Sequence, residues 1–453
     1  MKYILLLFII MSGLFAKLKA QHEHHNMANM NDSTPMQKKD TSMPVKKMNI
    51  HAHHSMSSAY SRSLPMNRNG SGTSWVPDNS PMYMIMKHDM QGGMWMFHGG
   101  FFFRYNTQQL TDKTSRSGSK FDAPNWLMAM YNRPVGKNGL FTFKSMLSLD
   151  PFTVGKNGYP LLFQSGEAFK GEPLVDRQHP HDLFAELSLG YSQRLGKDID
   201  IYGYFGYPGE PALGPPAFMH RISAMNDPDA PIGHHWQDAT HITFGVATAG
   251  IRLNKFKIEL SSFNGKEPDE HRYDFDAMQF NSYSYRISYN PANAWSLQFS
   301  QGYLKSPERL HSEENIWRYT ASALYSSPVS LEGRYFNAAL VWGMNDAGHH
   351  HKEHSVLLEA TNQFQKLAIY SRYEFVQKGS EELNLEQAYG DKIFNIHKIT
   401  VGTNRKLFGI GVIDVVGGVQ TSLNLPPQSL KVLYGNSPMS GEVYLQVRPR
   451  LNL

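Results

Sequence analysis

Apolar and polar side chains alternate with a period of two through much of the chain from residue 94 to residue 449, and this pattern constrains the fold most strongly. In the run YSYRISYN (283–290), three tyrosines and an isoleucine fill alternate positions, while two serines and an arginine stand between them. Such alternation predicts a strand with one apolar and one polar face. Sixteen such segments follow one another, and we predict no helix between them: 94–106, 124–132, 140–149, 182–194, 199–207, 241–253, 256–264, 281–290, 295–304, 315–326, 335–343, 354–363, 367–377, 394–404, 409–420 and 441–449.

The connections between these predicted strands alternate strictly between long and short. The first, TQQLTDKTSRSGSKFDA, is long, the second, RPVGKNG, is short, and this order persists to the last long gap, 421–440. Short turns at one end, long loops at the other and an even strand number are typical of an outer-membrane barrel. We therefore predict an all-β fold for residues 81–453, a transmembrane antiparallel up-and-down β-barrel of about 16 strands, with 14 or 18 as alternatives. Residues 81–90 are a candidate for an extra strand.

The same rule assigns the two ends of the barrel. Short turns face the periplasm and long loops face outwards, so both chain ends are expected in the periplasm. The partners expected for the wall are the lipids of the outer membrane. A barrel of about 16 strands encloses an aqueous lumen unless loops fill it.

The first twenty residues predict export. Lys2 precedes the apolar run 4–11, and the segment 1–20 ends at Ala20, which is the pattern of a cleaved secretory signal peptide. Its removal takes away three of the 44 basic residues and none of the 39 acidic residues, leaving 41 against 39. This near balance gives no indication of a nucleic-acid partner.

Residues 21–80 lack aliphatic periodicity and are rich in Ser, Asn, Lys, Met and His, so we predict a disordered periplasmic tail. The pattern HxHH occurs at 22–25 and again at 51–54. Thioethers suit Cu(I) and imidazoles suit Cu(II), with silver and zinc as competitors, whereas the alternative is a polar spacer of biased composition. The candidate metal ligands in the tail are His22, His24, His25, Met27, Met30, His51, His53, His54 and Met56.

The stretch VDRQHPHD (175–182) carries His179 and His181 on either side of a proline. If both are extended, their imidazoles project to the same side. Asp176 and Asp182 would then orient them as hydrogen-bond acceptors for a metal site. The alternative is a loop tied together by charge pairs, in which histidine only donates and accepts hydrogen bonds.

A second histidine-bearing segment, 208–241, contains six prolines and several large apolar residues. It is too stiff and too apolar for a mobile surface loop, so we expect it to fold over or into the mouth of the barrel. It supplies the further candidate metal ligands His220, His234, His235 and His241.

Several blocks of the sequence carry a family resemblance. VDRQHPHDLF, YPGEPALGPPAFMHR, HHWQDATHITFGV, KEPDEHRYDFDA and LKSPERL resemble the signature blocks of an uncharacterised bacterial outer-membrane β-barrel family over about residues 94–450. The resemblance implies a barrel, and members of that family tend to accompany copper and heavy-metal systems. The tail, separately, resembles the Met/His-rich N-terminal segments of copper-resistance outer-membrane proteins.

These observations predict an outer-membrane barrel that handles copper or a related heavy metal by binding, efflux or tolerance. Copper, as Cu(I) or Cu(II), is the expected cofactor, and periplasmic copper proteins are candidate partners. The alternative is a general porin or small-solute channel with a loop-lined constriction. An outer-membrane hydrolase is disfavoured, because the chain has no cysteine and no G-x-S-x-G nucleophile motif, and Ser165 and Ser223 lie near histidines only in sequence. We therefore predict no enzymatic activity.

Overall fold

The computed structural model describes residues 57–108, 110–348 and 352–452. Their dominant feature is a closed antiparallel barrel of 16 strands. Each wall strand pairs with the next, and the last pairs with the first. In chain order the wall strands are β1 (Met94–Thr107), β2 (Asn125–Val135), β3 (Gly139–Leu147), β4 (Phe184–Arg194), β5 (Ile199–Gly206), β6 (Val246–Leu253), β7 (Phe256–Phe263), β8 (Ser282–Tyr289), β9 (Trp295–Lys305), β10 (Asn315–Ser326), β11 (Tyr335–Asp346), β12 (Lys352–Phe364), β13 (Leu367–Gly379), β14 (Ile393–Ile410), β15 (Ile413–Leu425) and β16 (Met439–Pro449).

The helices of the described residues are all short, and none of them is long and apolar enough to cross a membrane. The α-helices are α1 (Asp150–Thr153), α2 (His234–Gln237), α3 (Glu386–Tyr389) and α4 (Lys431–Tyr434). The 3-10 helices are Met66–Arg68, Phe218–His220, Ala239–His241 and Gln428–Leu430. Short strands pair as Ser57–Ser58 with Ser61–Pro65, Met82–Tyr83 with Leu451–Asn452, Tyr159–Pro160 with Arg177–Gln178, and Glu167–Phe169 with Glu172–Leu174.

The prediction of a barrel with 16 strands is confirmed, although some strand limits differ. The predicted strand 241–253 begins only at Val246, because the preceding residues belong to a segment inside the barrel. The sequence predicts a turn at 405–408, but the observed turn follows Ile410. The reason is that apolar side chains continue to face outwards as far as that residue. The connection from Asp346 to Lys352 is as short as the turns at the other end, so the alternation of long and short is not strict.

Strand β8 shows how the sequence pattern maps onto the two faces of the wall. Ser284, Arg286 and Ser288 are buried on the inner face, whereas Tyr283 and Ile287 are exposed on the outer face. In an outer-membrane barrel, the outer apolar face contacts lipid and the inner polar face lines the lumen. The period-two pattern therefore reflects these two environments.

Strand β1 has an additional short strand on each side. Ser119–Asp122 pairs with the end of β1 nearest the long loops and leads through Pro124 into β2, so both occupy one position in the wall. Ile85–His88 pairs with the first residues of β1. It lies on the same side of β1 as β16, which pairs with the later residues of that strand. The candidate strand in residues 81–90 thus shares the position of β16 in the wall and does not add a seventeenth strand to the ring.

Residues 57–80 lie inside the barrel, which corrects the prediction that the disordered tail extends to residue 80. Ser61 Oγ donates a hydrogen bond to Asp200 Oδ2 of β5 at 2.6 Å, and Thr73 Oγ1 donates to Glu259 of β7. Asn290 Nδ2, directly after β8, donates to Val76 O at 3.0 Å. Because the inner face of the wall is polar, a segment rich in Ser, Gly and Asn satisfies its hydrogen bonds there without apolar periodicity.

The predictions for the chain before residue 57 lie outside the described residues. They comprise the signal peptide 1–20 and the metal ligands proposed in the tail: His22, His24, His25, Met27, Met30, His51, His53, His54 and Met56.

The connection between β5 and β6, residues 207–245, runs through the lumen, as expected from its prolines and apolar residues. We call it the inward segment. Its Ala212 N donates to Ser261 Oγ of β7 at 2.8 Å, and Gln446 Nε2 of β16 donates to its Met225 O at 2.9 Å. These two strands are nearly half the ring apart, so the inward segment spans the lumen.

The lumen is filled at several levels by the inward segment and residues 57–80. Inner-face side chains on well separated strands are almost inaccessible: Glu259 is 0 % exposed, Thr320 is 0 % exposed and Thr400 is 1 % exposed. In a water-filled porin lumen, inner-face side chains of this kind contact water. The described structure is therefore a barrel with an occupied interior.

Candidate metal centre

The stretch 175–182 lies in the long connection between β3 and β4, which folds over the lumen. Arg177–Gln178 is held by its pairing with Tyr159–Pro160, and the chain then turns through His179 and His181 into β4. The ring centroids of these two histidines are 6.0 Å apart. The rings of the two imidazoles therefore lie close together.

The inward segment brings three more histidines to the same place. His234 and His235 stand on α2, and His241 stands on the 3-10 helix that follows it. The His234 ring lies 4.9 Å from the His241 ring and 5.2 Å from the His235 ring, measured between centroids. His179 lies 5.6 Å from His235, and His181 lies 5.4 Å from His241. We call these five residues the five-histidine cluster.

Three members of the five-histidine cluster have the Nδ1 atom engaged by an oxygen atom. His181 Nδ1 lies 2.8 Å from Asp150 Oδ2, His241 Nδ1 lies 2.9 Å from Asp238 O, and His234 Nδ1 contacts Asp238 Oδ1. A neutral imidazole that donates from Nδ1 carries its lone pair on Nε2. The Nε2 atoms of His181 and His241 are buried and have no hydrogen-bond partner. This is the arrangement in which proteins orient histidine ligands towards a metal ion.

His235 and His179 complete the cluster with nitrogen atoms close to carboxylates. Both ring nitrogens of His235 are buried without a hydrogen-bond partner, although its Nδ1 lies at ion-pair distance, 3.3 Å, from Glu267 Oε2. His179 Nε2 lies 3.5 Å from Glu167 Oε1. One ring nitrogen from each of His179, His234 and His235 falls within 4.8 Å of the others. Buried nitrogens without partners are rare, and a metal ion bound between them would satisfy them.

Burial sets the protonation state of most of the cluster, whose members all lie in connections between the strands. It lowers the pKa of His179 and His241 well below the ordinary value, and the charge of Arg272 adds to this at His179. Burial also lowers the pKa of His234, although the neighbouring Asp238 opposes the shift. These three imidazoles are therefore neutral near pH 7, the form that binds metal ions.

His235 differs from the rest of the cluster. Burial again disfavours its charged form, but Glu267 and Glu167 outweigh it, so the pKa of His235 is raised. Burial raises the pKa of Glu167 to about 7, against the opposing charge of Arg272. Both shifts favour a bound proton between His235 and the two glutamates. A bound metal cation would take the place of that proton.

The two acids of the 175–182 stretch do not orient the histidines, contrary to that part of the metal-site hypothesis. Asp182 accepts from Arg272 Nη1 at 3.1 Å, and the same guanidinium donates to Glu167 Oε2 at 3.0 Å. Asp176 accepts from Phe163 N at 2.7 Å and from Tyr434 Oη at 3.1 Å. For these acids, the charge-pair alternative describes the structure.

His220, the remaining loop candidate, lies apart from the five-histidine cluster. Its ring is 5.7 Å from that of His98 on β1 and 4.7 Å from that of Trp126 on β2. His98 was missed by sequence reasoning, yet its inward position in the alternation of β1 is a usable signal. The sequence also gave no reason to single out Asp150 and Glu167, which approach the histidines only through the loop fold.

The two serines considered for an enzyme bond to groups other than histidine. Ser165 Oγ accepts from Lys378 Nζ at 2.6 Å and donates to Glu382. Ser223 Oγ donates to Glu359 Oε1 at 2.9 Å. Their closeness to histidines in the sequence is therefore not matched by these hydrogen bonds.

Gly166 provides a test of how tightly His235 is held. Its φ is +104°, and a Cβ atom at this position would lie 2.5 Å from Cγ of His235. We expect Gly166→Ala to displace the His235 ring, destabilise the connection by about 1–3 kcal/mol and weaken metal binding. Gly171→Ala is the matched control, because Gly171 has a φ of +81° with nothing within 4 Å of its Cβ position. Equal metal affinity of the two variants, measured by calorimetric titration, would contradict the contact.

The barrel resembles solved structures of outer-membrane porins at low sequence identity. A complex of Salmonella typhi OmpF with daunomycin matches with 12 % identity and a TM-score of 0.50, over 80 % of this chain and 100 % of that one. An anion-selective porin from Comamonas acidovorans matches with 11 % identity and a TM-score of 0.45, over 79 % of this chain and 99 % of that one. The outer membrane channel DcaP of Acinetobacter baumannii matches with 11 % identity and a TM-score of 0.45, over 80 % and 99 %.

The closed barrel, together with its likeness to the OmpF structure, defines an outer-membrane β-barrel of the porin-like structural class. Its strands cross the outer-membrane bilayer, as the alternation of the sequence predicts. No protein-family model and no curated protein matches this sequence. The resemblance of its loop blocks to an uncharacterised outer-membrane family therefore stays a prediction.

Proposed function

We propose that this outer-membrane barrel binds a transition-metal ion at the five-histidine cluster and acts in metal handling without enzymatic catalysis. The observation that carries the proposal is the convergence of five histidines, three of them buried and two half-buried, from two separate connections of the barrel. Several of their ring nitrogens lack a hydrogen-bond partner. Handling comprises binding, efflux or tolerance, and periplasmic copper proteins are candidate partners for a metal that leaves the barrel.

The chemistry of the donors favours divalent ions of the later first-row metals. Imidazole nitrogens suit copper, zinc and nickel, and among divalent ions copper is bound most tightly by a given nitrogen site. Glu167 and Glu267 lie beside the imidazoles and balance part of the added positive charge. Cu(II) is thus the ion that we expect to bind most tightly, with Zn(II) as its competitor.

The experiment is metal titration of the purified full-length barrel in detergent with Zn(II), Cu(II) and Co(II). Co(II) reports nitrogen coordination by its visible absorption. We expect His179→Ala combined with His235→Ala to reduce Zn(II) affinity by more than the roughly 10–100-fold that loss of an orienting partner costs. His271→Ala is the control, because His271 is exposed in the loop between β7 and β8. Undiminished Zn(II) and Co(II) binding by the double variant would refute the proposed centre.

A small-solute channel with a loop-lined constriction is the second candidate. It is supported by the barrel fold shared with OmpF, whereas the comparisons carry no information about metals. In this reading, the inward segment is the constriction, and its histidines and acids set the selectivity of the pore. Single-channel conductance of the unmodified protein decides between the candidates, since a constricted porin conducts steadily without added metal.

A further inference from the structure

A cavity of about 150 Å³ lies in the lumen beside β1 and β2, away from most of the five-histidine cluster. Residues 66–84, the inward segment and the inner faces of β1 and β2 enclose most of it. Methionines are its most notable lining. Seven of the 23 methionines in the chain border it: Met66, Met82, Met84, Met96, Met130, Met219 and Met225.

The register of the wall places part of this lining side by side. Met96 of β1 pairs directly with Met130 of β2, and on its other side Met96 pairs with Met86. Directly opposed residues in antiparallel strands have Cβ atoms about 4.5–5.5 Å apart. His98 lies two residues after Met96 on β1 and therefore on the same inner face. The wall therefore presents thioethers and an imidazole to one small volume.

The inward segment adds ligands from the opposite side. Its 3-10 helix carries Met219 and His220, and Met219 packs against the buried cluster that includes Met66, Met96 and Met130. The His220 ring lies 5.7 Å from the His98 ring. Soft and borderline donors from the wall and from the inward segment thus line the same cavity.

Packing alone does not account for this arrangement. Methionine fills irregular gaps in apolar cores, and in that role it leaves little unfilled volume. Here a cavity persists among the methionines, and imidazoles share its lining. The Nε2 atom of His98 is buried without a hydrogen-bond partner. Packing in an apolar core does not explain a buried nitrogen without a partner, whereas a bound metal ion would be its partner.

We propose that this cavity is a binding site for a soft monovalent cation, Cu(I) or Ag(I). Its ligands are the thioethers of Met66, Met96, Met130 and Met219, together with an imidazole of the His98–His220 pair. Thioether sulfur selects Cu(I) over harder divalent ions. The site shares no proposed ligand with the five-histidine cluster, so it stands or falls independently of the proposed function.

The two sites adjoin through one residue. His181 belongs to the five-histidine cluster and also lines the methionine cavity. The interior therefore changes from imidazoles near the long loops to thioethers beside the first residues of β1, towards the short turns. The divalent and the monovalent ion of one metal would therefore each have suitable donors, the first at the five-histidine cluster and the second at the methionine cavity.

The test uses Ag(I), which mimics Cu(I) without redox chemistry, on the full-length barrel in detergent. We expect Met96→Leu, Met130→Leu and Met219→Leu together to lower Ag(I) affinity at least about 100-fold, because three soft ligands are lost. Leucine conserves volume, so the barrel is expected to fold with a modest loss of stability. Zn(II) affinity should stay unchanged in this triple variant, which separates the result from a failure of the five-histidine cluster.

The matched control is Met94→Leu, Met128→Leu and Met146→Leu. These three methionines are buried on the inner faces of β1, β2 and β3 in the same packed group, yet they do not line the cavity. Ag(I) affinity of this control should equal that of the unmodified protein. An equal loss in both triple variants, or no loss in the first, would overturn the proposal.

A measurement on the unmodified sequence covers the case in which the first variant fails to fold. With ¹³C-labelled methionine methyl groups, one equivalent of Ag(I) should shift the resonances of the methionines that line the cavity. Exposed Met90 serves as the internal reference. Shifts confined to methionines other than those lining the cavity would place Ag(I) elsewhere and refute the site.

Discussion

Deletion of residues 211–241 is expected to convert the filled barrel into an open channel. The backbone hydrogen bonds between Gly209 and Thr243 hold the two ends of the inward segment together, so an Asn-Gly turn can close the gap. The inner faces that the inward segment now covers are polar, and water would solvate them. Single-channel conductance in planar bilayers should rise at least about tenfold, as expected for a 16-stranded wall whose lumen is then only partly filled.

The contribution of residues 57–80 is measured in the same way. Removing them together with 211–241 should raise the conductance further, because both segments occupy the lumen. Shortening the exposed loop tip 309–313 between β9 and β10 is the control and should leave the conductance unchanged. If the unmodified protein conducts as well as the deletion variant, the interior is not a plug and the channel candidate gains support.

Replacement of Arg221 is expected to release the inward segment without removing it. Arg221 is 1 % exposed and donates to Glu359 Oε1 of β12 at 2.7 Å and to Asp238 Oδ2 at 2.8 Å. Arg221→Leu leaves the buried Asp238 without its arginine and Glu359 with Arg372 alone, which costs about 3–5 kcal/mol. We expect faster proteolysis of the inward segment, and weaker Zn(II) binding because Asp238 also positions His234.

Two further variants show whether charge is the cause. Asp238→Asn in the Arg221→Leu background should restore part of the protease resistance, since it removes one uncompensated charge. Arg334→Leu removes the partner of Glu332 in an exposed ion pair and should cost less than about 1 kcal/mol. Equal protease sensitivity of Arg221→Leu and Arg334→Leu would show that the buried network does not hold the segment.

Most of the wall follows from local sequence, because each strand senses lipid on one side and a polar interior on the other. This is why the inward Arg286 and the outward Ile287 were assigned correctly from alternation alone. Residues 57–80 were misjudged for the same physical reason. Their composition lacks apolar residues for a conventional core, yet the interior of this barrel is itself polar and accepts Ser61 and Thr73 through hydrogen bonds.

The five-histidine cluster was only partly foreseeable. Its members were identified by residue type, and the prolines of 208–241 indicated that this segment would lie at the barrel mouth. Two of the acids beside the rings were not identified, since Asp150 and Glu167 reach His181 and His179 only through the fold of the connection between β3 and β4. Distances of this kind depend on tertiary structure, which neither periodicity nor spacing encodes.

The closure of β16 on β1 has a consequence for assembly. The contacts that fix the interior join distant parts of the chain: Ser61 and Asp200 are 139 residues apart, and Thr73 and Glu259 are 186 apart. Non-local contacts of this kind form slowly. The ring, moreover, is sealed by its last strand. The interior must therefore be in position before the seam between β16 and β1 shuts, or else thread into a finished cylinder, so the order of events during insertion determines whether a filled barrel is obtained.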